Sequence, residues 1–200
     1  MKFNKLTLGA LLAASLSFQA SAVLITPTTH DGVAWDFAAP GQDAWTGTNN
    51  SQSVINTEIQ AIATSLGVGT LSLAYKQDVG AGEEGAFSGS YTTTFANTAL
   101  DPEDALIDYV GGASITGTTS TFLLVKDGNH SPAYYFFDIS SWNGTDELRL
   151  EDFWVGGGAI SHVSIYTTGT ASVPDGGATV ALLGLSLTGI GLARRFFAKA

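Results

Sequence analysis

Four tryptophans, three histidines and a surplus of carboxylates are the side chains of this 200-residue chain that could do chemistry. Sugar rings present apolar C–H faces that stack on aromatics, so tryptophans near loops are candidate polysaccharide contacts. Trp142 and Trp154 flank a turn at Asn143-Gly144 and are the two such candidates, although core packing is the commoner fate of an indole. Asn143-Gly144-Thr145 itself reads as a turn. Asp101, Glu103 and Asp104 in one loop, or Asp127 with Asn129, offer the hard oxygen ligands that calcium takes, without EF-hand spacing. Apart from that weak calcium option, no cofactor or metal site is expected. Glu83/Glu84, Asp101/Glu103/Asp104 and Glu151/Asp152 would each serve to draw a glycoside hydrolase pair. That chemistry needs a fixed separation across a cleft, and solvated surface acids are the ordinary reading.

Other chemistries find less support. His30, His130 and His162 are far apart in sequence, and none has a partner at helical ligand spacing. His162 follows Ser161, but alternation points strand neighbours to opposite faces, which argues against direct pairing. Residues 80–85 match GxGxxG in letters, yet a strand pattern follows and two glutamates would face a pyrophosphate, so a tight hairpin loop is the better reading. Residues 112–116 miss the GxSxG elbow by one position. With no cysteine there are no disulfides, thiolate metal sites or cysteine nucleophiles. No catalytic residue is expected, and the chain reads as a non-enzyme.

The elements that must position these residues are mostly strands. Residues 23–50 look loop-like, with two short edge strands at most. Residues 53–66 read as one helix, with Val54, Ile55, Ile59, Ile62, Ala63 and Leu66 at helical spacing and Gly67 to end it. After Val68 the pattern turns to strands: 71–76, 87–95, 121–126, 133–139, 147–151 and 159–167. Asp127-Gly128 is a hairpin signal between two nearly continuous apolar runs. The expected fold is mainly β, an antiparallel two-sheet sandwich with one short helix packed at its edge.

All but one of the 18 acidic residues lie in 23–173, against Lys76, Lys126 and Arg149. So acidic a body repels phosphate backbones, which excludes nucleic acid, and would attract divalent cations shared with an anionic polysaccharide. The remaining basic residues mark the two ends. Lys2 and Lys5, an apolar stretch over 6–16 and the small residues Ala20 and Ala22 make a secretory signal peptide over 1–22, with maturation near Val23. At the other end Val173-Pro174-Asp175-Gly176-Gly177 precedes an apolar run over 178–193, then Arg194-Arg195. That run reads as a transmembrane helix with its basic end in the cytoplasm, and Gly184, Gly189 and Gly191 would permit close helix packing. The domain reading is therefore 1–22 signal peptide, 23–172 extracytoplasmic sandwich and 173–200 sorting segment.

This motif, glycine-rich apolar helix and basic cluster resemble the VPDSG-type variant of PEP-CTERM sorting signals. The chain carries Gly176 where serine is usual and continues beyond Arg195 to Ala200. The resemblance implies recognition by an exosortase, cleavage near the motif, and a place among exported proteins of Gram-negative bacteria that make exopolysaccharide. The body is similar to a recurrent ectodomain of such proteins over most of 71–169, carried by Ala74-Tyr75-Lys76, Glu84-Gly85-Ala86-Phe87, the run 123–138, Trp142-Asn143-Gly144-Thr145, Phe153-Trp154 and 158–166. That likeness implies no catalytic residue. The expected protein is membrane-anchored by its C-terminal helix, then delivered to the cell surface or biofilm matrix in a structural or adhesive role. A carbohydrate-binding module is the alternative, and a secreted glycoside hydrolase a remote one.

Overall fold

A computed structural model describes residues 21–38, 40–96, 101–115 and 120–168. Residues 1–20 of the expected signal peptide, with Ala20, and the entire sorting segment, with Val173, Pro174, Asp175, Gly176, Gly177, Arg194 and Arg195, lie outside the described residues, whereas Ala22 of the expected cleavage site opens the first strand. Among the described residues no helix is long and apolar enough to cross a membrane.

Within those residues, twelve strands and one helix follow in the order β1 Ala22–Ile25, β2 Thr29–His30, β3 Val33–Ala34, β4 Ala44–Gly47, α1 Gln52–Ser65, β5 Leu71–Asp78, β6 Glu83–Glu84, β7 Tyr91–Ala96, β8 Asp104–Tyr109, β9 Thr121–Asp127, β10 Tyr134–Asp138, β11 Glu147–Leu150 and β12 Ile160–Thr168. They form two six-stranded sheets, ordered β3-β2-β1-β11-β8-β7 and β4-β10-β9-β12-β5-β6. Both sheets bury their inner faces in a common core. Ile25, Tyr91, Ile107 and Leu148 of the first sheet meet Tyr75, Leu123, Val125, Phe137, Val163 and Ile165 of the second.

The mainly β, two-sheet architecture with one helix is as the sequence indicates. The departures have physical reasons. β1 pairs in parallel with β11, an exception to the antiparallel pairing elsewhere among the described strands, and sits inside the first sheet rather than in a loop. Residues 85–90 form turns, so the strand read over 87–95 begins only at Tyr91, although Phe87 still reaches the core. β8 falls where acids suggest a loop: Ala105 and Ile107 pack inward while Asp104, Leu106 and Asp108 take the other face.

The helix does not sit at an edge. Ile55 and Ile59 pack onto Phe122, Leu124, Phe136 and Tyr166, on the face of the second sheet opposite the common core. Every residue of β9 is therefore buried, because that strand is covered on both faces. This is why its sequence is a continuous apolar run rather than an alternation.

Candidate functional site

Strand registers put the two exits of the described body at one pole. Ala22 lies opposite Glu147 in the first sheet, and Thr168 lies opposite Leu71 in the second. Trp142 belongs to this pole. Its indole N–H donates to Asp146 O at 2.8 Å, next to Glu147, and Ile139 N–H ties the same segment to Thr121 O at 2.9 Å.

The opposite pole gathers four segments distant in sequence around a cavity of about 520 Å³. The turn after β5 contributes Val79 and Gly80, and the start of the β9–β10 connection contributes Asp127, Gly128, Asn129 and His130. Asp101 enters ahead of β8, and 158–161 enters at the start of β12. The two calcium groupings drawn from sequence thus meet in space, for Asp101, Asp127 and Asn129 line the same cavity.

Several of their oxygens, however, serve the fold. Asp127 is buried, and its Oδ1 accepts the backbone N–H groups of Asn129 at 2.5 Å and His130 at 2.9 Å. Its Oδ2 accepts Ala159 N–H at 2.7 Å and lies 3.4 Å from His130 Nδ1. Burial raises the Asp127 pKa, but these hydrogen bonds outweigh it and hold the carboxyl below the usual aspartate value. Asp104 Oδ1 accepts Asp152 N–H at 2.9 Å, and Glu103 Oε1 accepts Gly156 N–H at 3.1 Å. These acids clamp the 151–159 loop, in which Asp152 and Trp154 hold φ of 62° and 56°. Among the described residues no group of three or more His, Asp or Glu side chains has the arrangement to hold a metal. In this geometry Glu103, Asp104 and Asp127 act as loop clamps.

Burial changes the meaning of the tryptophan candidates. Trp142 is 5% exposed, with its ring 5.8 Å from that of Tyr91. Trp154 is 9% exposed, donates its indole N–H to Pro132 O at 2.8 Å, and packs against Tyr135 and Phe153. Neither offers a free ring face for a sugar; both tie loops to the core. Trp142 and Trp154 also lie at opposite poles, so they do not form one surface.

Sequence reasoning missed the part played by Gly158, His130 and Ser161, because four separate segments supply the cavity and no local pattern announces it. Gly158 has φ of 146°, and a Cβ there would meet Asp127 Oδ2 at 2.7 Å and the Trp154 Cβ at 2.8 Å. Close by, on the helix-bearing face of the second sheet, His162 is 5% exposed, with Nδ1 3.4 Å from Asp78 Oδ1 and Nε2 without a partner. Burial lowers its pKa to about 4, helped by Lys76 and Lys126 and against the opposing pull of Asp78.

Residues 172–197 match the family model of the VPDSG-CTERM motif. No curated protein and no solved structure matches the chain.

Proposed function

We infer that this chain, which bears a VPDSG-CTERM motif, is an exported, exosortase-sorted protein of the cell surface or exopolysaccharide matrix, with a structural or adhesive role. The motif at 172–197 carries this reading, because it follows directly on a β body whose last strand ends at Thr168. The same reading makes the protein a non-enzyme. In support, Glu103 and Asp104, two of the acids from which a hydrolase pair could be drawn, accept backbone N–H groups. Mass spectrometry of the protein recovered from the cell surface tests the processing. A C-terminus near 173–177 is expected, and an intact Ala200 on the mature surface protein would overturn it.

A carbohydrate-binding role is the second reading. Trp142 and Trp154 give it no support, and what favours it is the cavity at the pole away from Thr168.

A further inference from the structure

The cavity has a lining that selects among ligands. Its wall mixes polar side chains with Val79, Ala159 and Ile160, and glycine backbone at Gly80, Gly128 and Gly158 contributes as well. None of the body's three basic residues, Lys76, Lys126 and Arg149, lines it, while Asp101 and Asp127 do. An anionic ligand would be repelled there. Val79, Ala159 and Ile160 add apolar wall between the polar groups, a mixture that suits a ring with both C–H faces and hydroxyls. The groups that remain available suit hydroxyls. Asn129 is exposed, and its side-chain amide offers both donors and an acceptor. His130 Nδ1 faces Asp127 Oδ2, which leaves Nε2 to bond a ligand.

The walls are held in place before any ligand arrives. Asp127 ties 129, 130 and 159 together, Glu103 and Asp104 fix the 151–159 loop, and Asn50 Nδ2 donates to Gly128 O at 2.9 Å. Preorganisation of this kind lowers the ordering cost of binding. Thr168, the last described residue before the tail, lies at the far pole from this cavity.

We propose that the cavity binds a neutral, hydroxyl-rich ligand, a sugar unit of a polysaccharide, at the pole remote from Thr168. The proposal rests on the matrix-protein reading above and names the ligand class of that protein. Its test uses the protein as recovered from the cell surface, titrated with dextran and galactomannan as neutral probes and alginate as an anionic one. Saturable affinity for a neutral polymer and none for alginate is expected. The Asn129→Ala/His130→Ala variant should weaken it about tenfold, through two lost hydrogen bonds, with the far-UV circular dichroism unchanged. Asn129→Ala alone keeps the test decisive if the double variant unfolds. Preference for alginate, unchanged affinity in both variants, or no affinity for any of these polymers would overturn the proposal. A protein found only inside the cell would instead sink the export reading, whatever its affinity for the probes.

Discussion

Tyr91 holds two loops with one hydroxyl, which donates to Gly144 O at 2.7 Å and accepts from Ile115 N–H at 2.6 Å. Burial pushes its pKa up to about 12. Tyr91→Phe strands a buried N–H and a buried carbonyl, so a loss of about 2 kcal/mol is expected, read as a melting point lowered by roughly 4–8 °C. Two buried groups set the acid response. His162 is neutral in the fold, with a pKa of about 4 against 6.5 for the free side chain. The unfolded chain therefore binds more protons between those values, and roughly 3 kcal/mol is lost as the pH falls from about 6.5 to about 4. Asp127 has a depressed pKa, so its contribution stands above 3.8 and is lost below it. Melting points measured across pH should fall in two limbs, and His162→Asn should remove the upper one. At this scale the sequence is legible only in part. Residue types identify which acids and indoles are unusual, but not that backbone N–H groups and neighbouring rings already occupy them.

β5 carries the clearest lesson at the scale of elements. Its register against β12 shifts between Ile165 and Tyr166, which leaves Ala74 as the extra residue of a bulge. Leu71 and Leu73 therefore face the helix, while Tyr75 turns into the common core. A plain alternation puts all three on one face, which is how the sequence reads. Ala74 O accepts Phe87 N–H at 2.9 Å, and a Cβ at Gly85 would come within 2.5 Å of that oxygen. Gly85→Ala is expected to destabilise the fold by about 1–3 kcal/mol, measured by denaturant titration. Ile59→Ala should cost about 2–4 kcal/mol and expose the surface formed by Phe122, Leu124 and Phe136, detectable as increased binding of an apolar dye. The helix itself is legible, since apolar spacing marks it within a residue at each end. Its seat is not, because only the paired sheet shows that β9 and β10 need a second cover.

The described body has two poles of different make-up. One carries Ala22 and Thr168, and in sequence the motif at 172–197 follows the latter. The other carries the cavity, assembled from segments that no sequence pattern links. The two-sheet class and the sorting motif can be read from residue order, because alternation and a compact local motif are both short-range signals. The parallel pairing of β1 with β11 cannot, since it joins the start of the body to a strand close to its end. On the proposed function, the tail and not the body determines where the protein resides. Deleting 173–200 and fractionating the cells tests it most directly. The body is expected to move to the medium or periplasm while the full chain stays with the envelope or matrix. Unchanged envelope retention of the truncated chain would contradict it.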